Sequence, residues 1–267
     1  MTIMEEATEF IHRVKNGGTL PMITSCSPGW VTYCEHYYPD QISHLSTCKS
    51  PQSMVGALAK TYYADKMGLD PAKIRVISIM PCTAKKWEIV RSEDMSSSGF
   101  QDVDVSLTTR ELARMIKQAG IDFRSLPDEA ADNPLGEYSG AGTIFGATGG
   151  VMEAALRSAY FLVTGENPDP DAFSAVRGCE GWREVTYNLA GKELTVAIVS
   201  GLQNADNLCN AIENGEVDYD FVEVMACPGG CVGGGGQPIH EGRECAAERE
   251  LIPVSYTHLT LPTILRV

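Results

Sequence analysis

The sequence has few basic residues for its length. Its 267 residues include 21 lysines and arginines against 35 aspartates and glutamates, which gives a formal net charge of -14. Nucleic acids and anionic membrane surfaces would repel such a chain, so we expect neither as a partner. The sequence also has no apolar run long enough to cross a bilayer, and no basic start followed by a hydrophobic stretch of the secretory type.

The number and placing of the cysteines do not indicate a disulfide framework. Nine cysteines are an odd number, and a chain with 43% hydrophobic residues can bury a core without covalent crosslinks. Several cysteines stand beside glycine or proline at the ends of apolar runs. This pattern favours reduced thiols that act as ligands or nucleophiles, and we therefore expect a cytoplasmic protein.

Apolar runs alternate with amphipathic stretches along the chain. Residues 2–18 predict a helix that begins with a capping box of Thr2 and Glu5 and ends at Gly17. Further helices are predicted within residues 50–68, 108–120 and 148–165. The runs TLPMITSC, KIRVISIMPC, LTVAIVSG and DFVEVMAC predict strands. The alternation predicts an α/β fold of two lobes, each a mostly parallel sheet flanked by helices.

Three of the predicted strands end in a cysteine, at Cys26, Cys82 and Cys227. In open α/β sheets, ligands gather beyond the carboxyl ends of the strands. We therefore expect loops from distant parts of the chain to meet at one site between the lobes.

The segment MACPGGCVGGGGQP, residues 225–238, carries the clearest chemical signal. Cys227 and Cys231 are close enough in sequence for two thiolates to reach one metal centre, and the glycines allow backbone amides to approach an anionic cluster. A structural zinc knuckle, or a glycine turn with two bystander thiols, would fit the spacing as well. Zinc sites usually have a second cysteine pair, which this sequence lacks. Further ligands would have to be single cysteines from other loops.

The segment MPCTAKKWE, residues 80–88, provides one such cysteine. Cys82 stands at a predicted strand-to-helix turn, where the helix N-terminus favours negative charge, and iron-sulfur clusters are held by thiolates. Lys85 lies one turn further along. From its spacing alone, Lys85 would be interpreted as a lysine exposed to solvent.

Together with TSCSPGW, residues 24–30, these two segments resemble the three signature motifs of the catalytic domain of [FeFe]-hydrogenases, in order and in separation. IFGATGGVMEAALR and DVDVSLTTRELARMI are similar to the sequence between that family's second and third motifs. The resemblance extends from Thr2 to about Arg243. It implies an iron hydrogenase that reversibly oxidises H2 and reduces protons, with electrons exchanged through iron-sulfur clusters.

The resemblance also implies a cofactor, the H-cluster. It consists of a [4Fe-4S] cluster joined through a cysteine sulfur to a two-iron subcluster with CO, CN and a bridging dithiolate. By motif, Cys82, Cys227 and Cys231 would be cluster ligands, and Cys231 would bridge to the two-iron subcluster. Lys85 would donate a hydrogen bond to a cyanide.

Three further residues would contact the cofactor if the resemblance holds: Met80, Met225 and Gln52. Ordinary core packing is the alternative interpretation of the two methionines.

In the family, protons pass from a cysteine through a glutamate, a serine and a second glutamate to a surface arginine. The matching residues are Cys26, Glu6, Ser46, Glu9 and Arg13. The spacing of the two glutamates and the arginine places them near one face of the first predicted helix. Without the resemblance, Glu9 and Arg13 would be an ordinary surface ion pair.

One position departs from the family's pattern. The first motif usually has two adjacent cysteines, a proton relay and then a cluster ligand, and Ser27 stands at the second position. A serine hydroxyl is a poor, hard donor for iron. Either Cys26 is the fourth ligand and Ser27 relays protons, or Ser27 is a weak ligand. The serine form resembles the NAD(P)-linked branch of the family, so the expected partners are ferredoxin or NAD(P)-linked electron-transfer subunits, and maturation proteins.

The remaining sequence matches no site. Buried apolar thiols are expected for most of the other cysteines, which are Cys34, Cys48, Cys179, Cys209 and Cys245. We expect residues 1–250 to be a catalytic domain truncated at both ends. The tail at 251–267 has no helical period and no family likeness, so we expect it to be foreign sequence.

Two other functions remain open. A non-catalytic homologue in cytosolic iron-sulfur assembly would share the domain but lack the two-iron subcluster, and the intact second and third motifs argue against it. A sensory hydrogenase would be expected to have a disrupted proton path and an appended signalling domain. The path in this sequence is complete.

Overall fold

The computed structural model describes residues 1–136, 140–178 and 180–238 and has an α/β fold, as the sequence predicts. Cys179, Cys245 and the tail at 251–267 lie outside the described residues. The helices are α1 (Thr2–Asn16), α2 (Pro28–Tyr37), α3 (Pro51–Leu58), α4 (Ala64–Met67), α5 (Lys85–Glu88), α6 (Thr109–Gln118), α7 (Ala141–Ile144), α8 (Gly150–Thr164) and α9 (Leu202–Glu213). The strands are β1 (Met22–Ile23), β2 (Ile77–Met80), β3 (Val105–Thr108), β4 (Trp182–Leu189), β5 (Lys192–Ser200) and β6 (Phe221–Met225).

The chain forms two compact units. Unit 1 consists of Met1–Ser50 and the described part of Ser139–Gly233, and unit 2 consists of the described part of Pro51–Tyr138 and residues 234–238. The chain passes from one unit to the other inside the third motif. Within the described ranges, no helix has both the length and the apolar character that a bilayer crossing requires.

Unit 1 contains a sheet with the strand order β1-β6-β5-β4. β1, β6 and β5 are mutually parallel, whereas β4 pairs antiparallel with β5. β4 was not predicted, although the apolar residues Val185, Tyr187 and Leu189 alternate with polar ones along it. The turn to β5 has positive φ at Ala190 (53°) and Gly191 (91°), as in a two-residue hairpin.

Helices cover both faces of this sheet. Alternate strand residues such as Phe221 and Ile198 pack with α1 and α8, and their neighbours such as Val222 and Val199 pack with α2 and α9. Burial on both faces explains why the central strands are continuous apolar runs.

The first helix differs from the prediction at its start. Thr2 lies inside α1, Met1 is the N-cap residue, and no side chain caps the helix, so the predicted capping box of Thr2 and Glu5 is wrong. The predicted end is correct, because Gly17 adopts φ 73° at the C-cap. A complete capping box does occur at the start of α6, between Thr108 and Glu111.

Unit 2 is built around β2 and β3, which are parallel. A π-helical turn, Ala59–Tyr63, joins α3 to α4, and the Lys60 ammonium inside it lies 2.8 Å from an Asp104 carboxylate oxygen. Gly56 in α3 lies directly against the chain before β3. A Cβ added to Gly56 would lie 2.6 Å from the carbonyl oxygen of Asp102.

We predict that Gly56→Ala destabilises the protein. The added methyl group must displace backbone, and such overpacking costs about 1–3 kcal/mol. Urea denaturation measures the loss of unfolding free energy. The neighbouring Val55→Ala is the matched control because Val55 is 45% exposed, and it should change little. Equal midpoints for the two variants would contradict this packing.

Candidate functional site

Parallel pairing in unit 1 brings two cysteine-bearing loops to one edge of the sheet. Because β1 and β6 are parallel neighbours, the chains that leave them start at the same edge. Cys26 follows β1 and Cys227 follows β6. The indole nitrogen of Trp30 donates to the carbonyl oxygen of Thr24 at 3.1 Å and holds the first loop against α2.

The loop between Cys227 and Cys231 is tightly folded. The Gly229 amide donates to Ser200 Oγ at 2.8 Å, and the Thr148 amide donates to the Gly229 carbonyl at 3.2 Å. Gly230 has φ 93°, and a Cβ there would lie 2.7 Å from the Thr148 nitrogen, so only glycine fits. The buried Thr148 hydroxyl has no hydrogen-bond partner within the described chain.

The second cysteine motif lies in unit 2, where Cys82 follows β2. The Gly236 amide donates to the Pro81 carbonyl at 2.7 Å, and a Cβ on Gly236 would lie 2.8 Å from that oxygen. Part of the third motif therefore packs directly against the turn that carries Cys82. This contact explains why the sequence needs glycine at position 236.

Lys85 is not the solvated lysine that its spacing alone indicates. It is buried, and its ammonium lies 3.0 Å from both carboxylate oxygens of Glu88. Gln52 Nε2 donates to the same carboxylate at 2.7 Å, and Gln52 Oε1 accepts from Ser78 at 2.8 Å. The Gln52 amide therefore orients the partner of Lys85.

The two predicted cofactor methionines have different surroundings. Met225 is a fully buried member of the core beneath α8, as the core-packing interpretation requires. Met80 is half-buried at the end of β2.

The cysteine ligands predicted from the motifs are distributed over both units. Cys26, Cys227 and Cys231 belong to unit 1, and Cys82 belongs to unit 2. Across residues 1–136, 140–178 and 180–238, no group of three or more His, Cys, Asp and Glu side chains is arranged to hold a metal ion. The donor set does suit an iron-sulfur cluster, because thiolates are its usual ligands and the glycine loop carries backbone amides beside two of them.

Ser27 occupies the N-cap position of α2, but its hydroxyl does not cap the helix. Serine is a favoured capping residue, and a hydroxyl at this position normally accepts a backbone hydrogen bond. The Ser27 side chain is therefore not used to stabilise the start of α2.

Four of the predicted proton-path residues lie together, three on α1 and Ser46 beside it. The Ser46 hydroxyl lowers the pKa of buried Glu6. Ser46 Oγ donates to Glu9 Oε2 at 2.8 Å, and Arg13 Nη2 donates to Glu9 Oε1 at 2.7 Å. The four residues extend from the buried side of α1 to its partly exposed side.

The two glutamates have opposite electrostatic environments. Burial raises the pKa of Glu6 to about 7, and the charges of Glu9 and Glu223 raise it further, whereas the bond to Ser46 opposes the rise. Burial also acts against ionisation of Glu9. Hydrogen bonds from Thr47, Ser46 and Arg13 nevertheless outweigh it and lower the pKa of Glu9. The inner carboxyl therefore keeps its proton to a higher pH than the outer one.

Arg13 is more enclosed than a surface ion pair would be. Its side chain is only 11% exposed, and its guanidinium donates to the carbonyl oxygens of Ser43, His44 and Leu45 as well as to Glu9. Since the guanidinium of an arginine stays charged in a protein, Arg13 holds the Glu9 carboxylate in place.

Sequence reasoning missed the role of Cys48, which we expected to be an apolar thiol. Its Sγ donates to Glu9 Oε2 at 3.6 Å, and its amide donates to Ser46 Oγ at 3.2 Å. Burial raises the pKa of the Cys48 thiol to about 12, so it remains a neutral donor. No sequence signal links position 48 to position 9. Cys34 and Cys209 are buried in apolar surroundings, as predicted.

Glu223 was also missed, although a glutamate inside an apolar strand was a visible signal. It is fully buried on β6, and its carboxylate accepts from the amides of Gly149 at 2.6 Å and Met152 at 2.7 Å. Burial raises the pKa of Glu223 to about 7, and these amide bonds partly offset the rise. The carboxylate caps α8 from a neighbouring strand.

The chain belongs to the family described as iron only hydrogenase large subunit, C-terminal domain, which its residues 1–235 match. It is 54% identical over 244 residues to the periplasmic [Fe] hydrogenase large subunit of Nitratidesulfovibrio vulgaris, covering 91% of this chain and 58% of that protein. It is 51% identical over 248 residues to the NADP-reducing hydrogenase subunit HndD of Solidesulfovibrio fructosivorans, covering 91% of this chain and 42% of that one. The chain thus spans about half the length of these relatives.

Solved structures agree with this assignment. A variant of the [FeFe]-hydrogenase HydA1 from Chlamydomonas reinhardtii superposes with a TM-score of 0.79 at 40% identity, covering 95% of this chain and 71% of that one. Protein NAR1 of Arabidopsis thaliana is more distant, at 33% identity over 260 residues, with 89% of this chain and 55% of that protein covered.

We predict that Glu6→Gln changes how stability depends on pH. Because the pKa of Glu6 rises from 4.5 to about 7 on folding, the folded protein binds the extra proton and loses stability as pH rises through that window. From pH 4.5 to 7.5 the unfolding free energy of the variant should gain roughly 3 kcal/mol relative to wild type in urea titrations. Exposed Glu5→Gln is the control, with no such gain. A difference between wild type and Glu6→Gln that does not vary with pH would contradict the assignment.

Proposed function

We propose that the protein reversibly oxidises H2 to protons and electrons. One observation carries the proposal: in a member of the iron-only hydrogenase family, buried Glu6 neighbours Ser46, whose hydroxyl donates to Glu9, and Glu9 also accepts from Arg13. Burying an ionisable group costs stability, and Glu6, unlike Glu223, is not explained by the capping of a helix.

The cofactor in this proposal is the H-cluster, which supplies the chemistry of H2 cleavage when bound. Cys82, Cys227 and Cys231 would hold its [4Fe-4S] cluster, and Cys231 would bridge to the two-iron subcluster with CO, CN and a bridging dithiolate. Support comes from the soft donor set and from the glycine loops that pack against both cysteine turns.

Lys85 and two methionines would lie around the two-iron subcluster. The ammonium of buried Lys85, oriented by Glu88 and Gln52, would donate to a cyanide. Met80 and Met225 would exclude water from that side.

Protons would travel along α1, from Cys26 to Glu6 and then to Glu9. Since Glu6 has a pKa of about 7, it can both accept and release a proton at neutral pH. The Ser46 hydroxyl can accept from protonated Glu6 while it donates to Glu9. Arg13 and Cys48 would hold the Glu9 carboxylate in place to receive the proton.

We propose a role for Cys26 and a role for Ser27 from the packing of the first and the hydrogen bonding of the second. Cys26 packs against the core cluster that contains residues of α1, which suits a relay to Glu6. The Ser27 hydroxyl makes no capping bond, so it is available to the cluster. We therefore assign Cys26 as the relay and Ser27 as the weak fourth ligand.

Electrons would be exchanged with ferredoxin or with NAD(P)-linked subunits, and maturation proteins would insert the two-iron subcluster. The 51% identity to an NADP-reducing hydrogenase subunit supports an NAD(P)-linked partner. The odd number of cysteines and their places beside glycine and proline favour a reducing compartment such as the cytoplasm. The relative from Nitratidesulfovibrio vulgaris is named as periplasmic.

An assembly function of the NAR1 type has weaker support, because identity to that protein is 33% against 54% and 51% for the two hydrogenase subunits. A sensory function also has less support, since the hydrogen bonds of the proton path are intact.

The test of function is infrared spectroscopy after maturation with a synthetic two-iron precursor. The chain would carry the flanking segments of its Nitratidesulfovibrio vulgaris relative, because it spans 58% of that protein. We expect bands from CO and cyanide that persist in Cys34→Ala and are lost in Cys231→Ala. A folded, cluster-loaded protein without these bands would contradict the hydrogenase proposal and favour an assembly role.

A second test separates relay from ligand. Cys26→Ala should keep the electron paramagnetic resonance signal of the reduced [4Fe-4S] cluster and lose at least about 100-fold in turnover, as expected for a lost proton-transfer group. Ser27→Ala should alter the cluster signal, and Ser27→Cys should retain it. Loss of the signal in Cys26→Ala would instead make Cys26 the fourth ligand.

A further inference from the structure

Glu223 is a buried carboxyl that the predicted proton path does not include. It lies in the middle of β6, and Phe221 and Met225, two residues away on either side, pack with α1 and α8. Since residues two apart on a strand point to the same side, the Glu223 carboxyl also faces these helices. Its bonds to amides at the start of α8 agree with this direction.

Glu6 lies on α1, which faces the same side of β6. Phe10 of α1 stacks on Phe221 with 5.0 Å between the ring centroids. α1 is followed closely by β1, which is parallel to β6, so α1 runs antiparallel to β6. Glu6 is four residues, or about 6 Å, back from Phe10 along the helix. Glu223 is two residues, or about 6.6 Å, beyond Phe221 along the strand. The two carboxyls are therefore neighbours in the core of unit 1.

The surroundings of Glu223 favour a negative charge. Its carboxylate accepts from the amides of Gly149 and Met152, at the N-terminus of a 15-residue helix. The Arg177 guanidinium lies at the same helix end, because a Cβ added to Gly150 would lie 2.7 Å from Arg177 Nη1. Burial raises the pKa of Glu223, whereas the amides and the charge of Arg177 oppose the rise.

The charge of Arg177 is not cancelled by the other ionic side chains at α8. Glu153 pairs with Arg157 at 3.0 Å and with Arg177 at 3.8 Å, so these three side chains carry one net positive charge. Among the residues that the structure describes, the two terminal nitrogens of Arg177 are buried and have no hydrogen-bond partner. Glu223 is thus the anion that this cation can stabilise.

The surroundings of Glu6 disfavour a negative charge. Burial raises the pKa of Glu6, the charges of Glu9 and Glu223 add to the rise, and only the Ser46 hydroxyl opposes it. The Cys48 thiol near Glu6 is neutral, because burial raises its pKa to about 12. A proton shared by the two carboxyls is therefore more stable on Glu6 than on Glu223.

Two neighbouring buried carboxylates repel each other, so such a pair keeps one proton over a range of pH in which separate groups would lose both. We propose that Glu223 is a positioning residue of the proton path: it carries the negative charge of the pair and thereby keeps the proton on Glu6, beside Ser46. The use of that proton in turnover rests on the proposed function. The charged pair itself needs no bound metal.

Infrared spectroscopy of the 267-residue chain without metal, as a function of pH, tests the pair. The band of a protonated carboxyl that Glu6→Gln removes reports the proton on Glu6. We expect Glu223→Gln to lower the pH midpoint of this band by at least about one unit, a tenfold loss of proton affinity. Glu223→Asp keeps the charge while it shortens the cap, so its midpoint should stay close to that of wild type. Exposed Glu5→Gln is the control without effect.

Arg177→Gln tests the same arrangement without a change in β6. When the guanidinium is removed, negative charge on Glu223 is less stable, part of the proton moves there, and the midpoint of the Glu6 band falls. Loss of a cation that acted directly on Glu6 would raise that midpoint instead, so the sign separates the two effects. This variant decides the question if Glu223→Gln does not fold.

Two results would overturn the inference. One is an unchanged midpoint in folded Glu223→Gln, or an unchanged or raised midpoint in Arg177→Gln where the first variant does not fold; Glu223 would then be a helix cap alone. The other is a band that persists in Glu6→Gln with its wild-type midpoint and disappears in Glu223→Gln, which would place the proton on Glu223. Both results are read without the H-cluster, whereas the proposed function fails on the CO and cyanide bands, so the two failures are distinguishable.

Discussion

The parallel pairing of β1 with β6 is the constraint on which the candidate centre of unit 1 depends. β1 is only two residues long, and it pairs through Met22 with Phe221 and through Ile23 with Val222. Thr24 extends the pairing, since its hydroxyl accepts from the Val224 amide at 3.0 Å. A strand this short has little stability of its own, so burial of β6 on both faces must hold it. Without this pairing, the loops that carry Cys26 and Cys227 would not start at the same edge of the sheet.

Buried carboxyl groups are the second unusual feature of unit 1. Glu6 and Glu223 are both buried, and the loss of water around each carboxyl raises its pKa. Glu223 has a structural explanation, because it satisfies backbone amides at the start of α8. Within the part of the chain that the structure describes, no comparable set of backbone amides donates to Glu6. Its burial is understandable if the fold retains a titratable group for proton transfer.

The sequence predicted local features well and tertiary contacts poorly. Strands that end at cysteines, and the helical spacing of Glu6, Glu9 and Arg13, are local patterns, so the prediction of an α/β fold and of one helix face was correct. The bond between Cys48 and Glu9 joins residues far apart in sequence, and only the folded chain reveals it. The capping box failed because the same short pattern can lie inside a helix as well as at its start. The family resemblance, not the spacing, placed Ser46 in the predicted proton path, and in the structure its hydroxyl donates to Glu9.

The central proposal is that Cys82, Cys227 and Cys231 are ligands of one [4Fe-4S] cluster. Anaerobic reconstitution with iron and sulfide, followed by iron analysis and Mössbauer spectroscopy, tests it most directly. We expect about four irons in a [4Fe-4S] cluster, and complete loss of that cluster in Cys82→Ala and in Cys227→Ala alike. Zinc in place of iron, or a cluster that survives in Cys82→Ala, would contradict it.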